Sequence, residues 1–279
     1  MIKLLIRKLS VYSTVIYFYI RRHIKKLPRL RKKTAYSKKA GVSFEKYIRG
    51  IPANRIFVHV SLSAVRHFTG RADTYTYLRD LLLGNFDVLV SQAFTPGVRK
   101  TRVFNPEKEI PAYGAFARQF FTDRHFRNHD PCYSIIAAGE NHFEAGDLTF
   151  APDGIFRQMI DHDYHCLNIG LDYVTCSLMH FVEYEQRVPY LNFYREKYTI
   201  KEGLLKKPLL YPIHSNRRAY SVKGYVWWNK IRLMKDLKKT NIVNQRNIDG
   251  VVLYDFSMRK LYDFVTEKVK NDPYYLIKW

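Results

Sequence analysis

From about residue 54 the chain alternates short apolar runs rich in β-branched residues with segments whose apolar positions recur every three to four residues. Period two marks strands and period 3.6 marks amphipathic helices, so the alternation predicts a layered α/β domain. Strands are expected at 55–60, 86–90, 134–138, 166–170, 220–223 and 250–255. Helices are expected at 73–83, where Tyr77, Leu78, Leu81 and Leu82 share a face, and at 113–121, 154–160, 175–184, 228–237 and 258–270. The segment 92–110 is rich in Pro, Gly, Arg and Lys, and is read as a surface loop free to hold a ligand.

Composition sharpens this picture. The 279 residues are 47% hydrophobic and 15% aromatic, enough apolar surface to exclude disorder throughout. Three cysteines (Cys132, Cys166, Cys176) at irregular spacing exclude a secreted disulfide scaffold and fit a reducing cytosol. The formal net charge is +22, and residues 1–40 carry thirteen Lys or Arg with no acid before Glu45, leaving +9 for the remainder. A basic amphipathic arm at 1–42 is therefore set apart from a domain at 43–279. Within the arm, twelve uncharged residues at 9–20 are too few to span a bilayer, which takes about 20. Tyr12, Tyr17, Phe18 and Tyr19 followed by the basic run 25–33 fit contact with an anionic membrane surface, with a solvated arm or a packed first helix as alternatives. The chain carries no nucleic-acid recognition module, and nucleic acid is not expected as a partner.

Four segments could carry chemistry. His180 and Glu183 are three apart on an expected helix and share a face, so the carboxylate can orient the imidazole as a proton acceptor; such pairs also occur on ordinary helix surfaces. His129-Asp130-Pro131-Cys132 is a polar turn entering a strand, where Cys132 reads more simply as a small buried thiol than as a nucleophile. The run Asp161-His162-Asp163-Tyr164-His165-Cys166 lacks a second ligand group at metal spacing, so no metal site is expected. Ser61 and Ser63 close the first strand, where hydroxyls and main-chain N–H groups grip an anion or simply cap a turn.

In this order and register the pieces resemble the aminoglycoside 3-N-acetyltransferase (antibiotic N-acetyltransferase) family. The resemblance lies in the opening strand and serine loop at 58–65, Gly114-Ala115-Phe116, the Arg-Ser-x-His-Pro-x-x-Ser turn at 127–134, and the Thr-Ser-Leu-His-x-x-Glu helix at 177–183. Ser61, Ser63, Pro131, Ser134, His180 and Glu183 match, whereas Asn128, Asp130 and Tyr133 stand where the family's turn has serine and histidines, and Gln92-Ala93 replaces its Pro-Thr. The Asp-Pro variant is similar to relatives found in surface-polysaccharide gene clusters.

The resemblance implies a three-layer α/β/α fold and direct transfer from acetyl-CoA or another acyl-CoA to an amino sugar of lipopolysaccharide or capsule, with aminoglycoside modification, or a non-catalytic membrane- or nucleic-acid-binding role, as alternatives. It implies His180 as the base, with Glu183 or Asp172 orienting it. Ser61, Ser63, Arg99 and Lys100 are assigned to the acyl-CoA. Asp130, Ser177 and Tyr190 are assigned to the acceptor.

Overall fold

The computed structural model describes residues 38–70, 73–202, 205–216 and 228–277. Helix α1 (Lys38–Arg49) leads into β1 (Arg55–Val60), α2 (Leu62–Thr69), α3 (Thr74–Leu83) and β2 (Val88–Gln92). Then come α4 (Val98–Thr101), β3 (Val103–Phe104), α5 (Ala115–Asp123), β4 (Phe126–Arg127) and β5 (Ile135–Gly139). The second half runs through α6 (Ile155–Asp161), β6 (His165–Ile169), α7 (Leu178–Glu185), β7 (Leu191–Glu202), β8 (Leu205–Asn216) and α8 (Lys230–Lys239). It ends with β9 (Asn244–Ile248), β10 (Val251–Ser257) and α9 (Met258–Asn271).

Seven strands form one sheet in the order β4-β5-β2-β1-β6-β10-β9. Its centre, β2-β1-β6, is parallel, and antiparallel strands flank it on both sides. Alternate residues of each strand face opposite ways, and the burial follows this period. Phe57, Val90, Ile135, Cys166 and Tyr254 pack with Phe156, Phe181 and Val265 of α6, α7 and α9. Val58, Leu89, Ile136, Leu167 and Leu253 pack on the other face with Phe44, Phe68, Leu78 and Phe120 of α1, α2, α3 and α5. The expected three-layer α/β/α fold is thus present.

The chain leaves β1 toward the α2–α3 layer but leaves β6 toward the α7 layer. Adjacent parallel strands whose connections diverge open a crevice beyond their C-terminal ends, where open α/β sheets place ligands. Gly170, just past β6, holds the floor of this crevice tight. Its φ of +69° lies in the left-handed region, and a Cβ there would come within 2.2 Å of Ala64 Cβ on α2.

Several elements depart from the periodicity. The strand expected at 220–223 lies outside the described residues, as do residues 1–37 of the basic arm. Helix α1 crosses the 42/43 boundary drawn from charge, because Ala40, Phe44 and Ile48 give it a buried stripe. The expected loop 92–110 contains α4 and β3, and Val103 and Phe104 pair in parallel with Thr199 and Ile200 of β7. That small sheet, β3-β7-β8, carries no clear alternation, since its strands are diluted by charge and β8 contains Pro208 and Pro212. Proline is tolerated there because β8 is an edge strand. Strand β9 (NQRNI) is almost wholly exposed and polar, the composition that protects a sheet edge. Among the described residues no helix is long and apolar enough to cross a membrane.

Gly170→Ala should destabilise the fold by about 2 kcal/mol or more, from the strained φ and the overlap with Ala64 together. A melting temperature within a degree of the unmodified protein would show that the crevice floor can relax.

Candidate active site

Helix α7 is apolar on most of its surface: Leu178, Met179, Phe181 and Val182 are all buried, because it lies between the sheet and α9. Two ionisable residues break that pattern on one face. The His180 side chain is 40% exposed, whereas the Glu183 side chain is 2% exposed, and His180 Nδ1 lies 2.8 Å from Glu183 Oε2. An ionised carboxylate only accepts, so this edge of the ring carries the proton and Nε2 is left as the acceptor.

The other carboxylate oxygen is also occupied. Tyr190 Oη and Trp228 Nε1 each donate to Glu183 Oε1 at 2.8 Å. Burial pushes the Glu183 carboxyl up, but the hydrogen bonds from His180, Trp228 and Tyr190 outweigh it and hold the group below its ordinary value. Burial beside this carboxylate in turn raises Tyr190 far above the usual phenol range. The Trp228 indole also packs on His180 with ring centroids 4.4 Å apart, and Phe150 meets the same imidazole edge-on at 6.2 Å.

The serine loop sits at the end of β1. Ser61 Oγ and Ser63 Oγ are 3.0 Å apart, and the Ser61 N–H donates to the Ile169 carbonyl of β6. Across the crevice, Ser177 Oγ donates to Gln92 Oε1 at the end of β2, at 3.0 Å. The site thus collects the C-terminal ends of β1, β2 and β6 and the first turn of α7.

A family model described as aminoglycoside 3-N-acetyltransferase matches residues 57–270. The chain belongs to that family. Solved members show the same fold at low identity. The AAC-IIIb binary complex with CoASH superposes with a TM-score of 0.67 at 13% identity, covering 85% of this chain and 97% of that one. Aminoglycoside acetyltransferase AAC(3)-IVa, as apoenzyme, gives 0.65 at 16% identity, covering 89% and 94%. AAC-VIa bound to sisomicin gives 0.64 at 16%, covering 85% and 98%. No curated protein sequence matches. As a member of this family the chain is an N-acetyltransferase.

Several residues marked from the sequence take other places in this acetyltransferase. Asp130, expected to meet the acceptor, is fully buried: Oδ1 accepts from the N–H groups of Cys132 and Tyr133, and Oδ2 from that of Thr149. Asn128 caps the Ile135 N–H in the same way, and the buried Arg127 guanidinium donates to Ser134 Oγ and to the Pro106, Glu109 and Ala93 carbonyls. Burial pulls Arg127 down to about 9. The turn 127–134, the departing part of the family pattern, is therefore internal scaffold that fastens 92–110 to β2. Tyr190, also expected at the acceptor, is buried with its hydroxyl on Glu183. Glu183 supplies a carboxylate to the imidazole Nδ1, and Asp172 accepts from Tyr254 Oη through its main-chain carbonyl.

Arg99 and Lys100 lie on α4, whose Val98 packs with Cys132, Tyr198 and Ile200 on the small sheet. Their neighbour Val98 and the Leu62 and Ala64 neighbours of the serine loop belong to separate hydrophobic clusters. Cys132 is buried, and burial pushes its thiol up to about 11, as befits a packing residue. The run 161–166 diverges, Asp161 toward Arg259 and Asp163 toward Ser257. A cavity of about 680 Å³ lies elsewhere, lined by Lys39, Lys46, Tyr47, Asn244, Arg246 and Asp249 between α1 and β9, and its lining includes no cysteine or histidine. Trp228, Gln92 and Phe150 were not marked from the sequence. Only the aromatic character of Trp228 and Phe150 is visible there, and nothing in the spacing links either to His180.

Because Glu183 is held below the carboxylate value of 4.5, its contribution to stability is present above that pH and is lost as pH falls through the lower folded value. Glu183→Gln should cost about 1–3 kcal/mol at pH 7, and the gap in melting temperature from the unmodified chain should narrow below pH 4. A gap independent of pH would mean that the carboxyl is not ionised in the folded protein.

Proposed function

We propose that this family member transfers an acetyl or similar acyl group from an acyl-CoA to the amine of an amino sugar, with His180 as the general base. The supporting observation is the asymmetry of the His180–Glu183 pair: a half-exposed imidazole is aligned at 2.8 Å by a carboxylate that is sealed from water. A sugar amine is mostly ammonium at neutral pH and must shed a proton before or during attack, and a positioned imidazole serves that need. Acetyl-CoA supplies the activated thioester carbonyl. The first turn of α2 offers the main-chain N–H groups of Leu62 and Ser63 at a helix N-terminus, beside the Ser61 and Ser63 hydroxyls, for the developing negative charge. Ser177 is committed to Gln92, so its hydroxyl serves the site by fixing the mouth of β2. Arg99 and Lys100 suit the phosphates of a long ligand reaching across to α4.

The acceptor is read from charge. Asp130 is consumed by main-chain amides, the residues packed on His180 are aromatic, and the chain carries +22. That field attracts a polyanion and repels a polycation. An amino sugar carried on an anionic group, such as a nucleotide-linked precursor of lipopolysaccharide or capsule, fits it better than a free aminoglycoside. Aminoglycoside modification is the second reading, favoured by the family itself. The basic run of residues 1–37 supports peripheral contact with an anionic membrane from the cytoplasmic side.

His180→Ala should lower kcat on the order of 100-fold or more with acyl-CoA affinity nearly unchanged, read as released CoA thiol; unchanged turnover would remove His180 from the chemistry. In a panel of UDP-linked amino sugars and aminoglycosides, kcat/KM should favour the former, and the reverse order would select antibiotic modification. Deleting residues 1–36 should abolish binding to anionic liposomes while leaving acylation of a soluble acceptor intact. Retained liposome binding would assign the contact to the body.

A further inference from the structure

Beneath the start of α7, three buried side chains from distant parts of the chain converge. His59 near the end of β1, Cys166 in β6 and Cys176 just before α7 place one ligand atom each, all within 4.8 Å of one another. Each is nine-tenths or more buried, and His59 Nε2 has no hydrogen-bond partner. A buried imidazole nitrogen left unpaired is costly and calls for an explanation. The ring is held from one side by Phe57, edge-on at 4.8 Å. Asn168 Nδ2 donates to Cys166 Sγ at 3.4 Å and to the Thr175 carbonyl at 2.9 Å, tying β6 to the segment that leads into α7.

We propose that His59, Cys166 and Cys176 form a structural site for a thiophilic divalent cation of the zinc class. Two thiolates and an imidazole are a donor set that zinc takes, with Zn–S near 2.3 Å and Zn–N near 2.0 Å, so tetrahedral ligand atoms stand about 3.8 Å apart or less. The group needs to close by about 1.0–1.3 Å at most to reach that size. The Thr175 carbonyl oxygen, 3.9 Å from Cys166 Sγ, provides an oxygen donor beside the set. Charge favours a divalent over a monovalent ion: Zn²⁺ with two thiolates and a neutral imidazole sums to zero, the net charge that a dry interior tolerates. On binding, Cys166 releases its proton to solvent, and so does Cys176 to the extent that it holds one.

The site would clamp the end of β1 and the start of β6 to the residue before Ser177, and so set where α7 and His180 begin. It takes no part in acyl transfer, and its test needs no turnover assay. Metal content and thiol state are measured on the full chain expressed in zinc-supplemented medium, alongside Cys132→Ser, Cys176→Ser and His59→Gln. About one zinc per chain is expected in the unmodified protein and in Cys132→Ser, falling tenfold or more in the other two. Protein grown with cobalt should show thiolate-to-cobalt charge-transfer absorption in the same two forms. Folded unmodified chain that holds background metal with three titratable thiols, a Cys166–Cys176 disulfide without zinc, or copper(I) in place of zinc would each overturn the assignment. Should Cys176→Ser fail to fold, the cobalt spectrum and zinc content of the unmodified chain still decide.

Discussion

A carboxylate sealed from water constrains the second half of this protein. An ionised group in the interior costs several kcal/mol unless it is fully hydrogen-bonded, and Glu183 meets that condition through donors from three places: His180 on its own helix, Tyr190 ahead of β7, and Trp228 ahead of α8. Each donor fixes a different segment against α7. His180, with its side chain 40% exposed, is one of these partners, so the same set of bonds that neutralises a buried charge also sets the orientation of the imidazole at the crevice.

The sheet explains why that imidazole has something to face. Three parallel strands end together at Gln92, Ser61 and Gly170, and the divergence of the chain after β1 and β6 leaves a gap between their connections. Gly170 lets α2 close on β6, which brings the serine loop to the edge of the gap. The turn 127–134 contributes from behind: Arg127, Asn128, Asp130 and Ser134 spend their polar atoms on main chain and on one another. Its departures from the family pattern therefore rebuild an internal support, and the aromatic surroundings of His180 come from Phe150 and Trp228 instead.

Charge adds a second level of organisation. The basic excess extends through the body as well as the arm. One solved structure of this fold is bound to sisomicin. The fold is shared with solved members at 13–16% identity.

How much of this was legible in sequence depends on the range of the interactions. Strands of the large sheet and most helices appear in the periodicity because their faces are buried in two layers, and each apolar position reports its own environment. His180 and Glu183 are legible for the same reason, since one helical turn joins them. The β7–β8 hairpin, the polar edge strand β9 and the fold of 92–110 are not, because pairing at an edge is satisfied by main chain and leaves no apolar signature. Nor could spacing reveal that Trp228 and Tyr190 serve Glu183, that Asp130 is spent on amides, or that His59 meets Cys166 and Cys176. Local periodicity thus determined the layers and the helix that carries His180 and Glu183. Only the packing of distant segments decided which polar side chains face the crevice and which are consumed inside, because burial and hydrogen-bond partners are properties of neighbours in space.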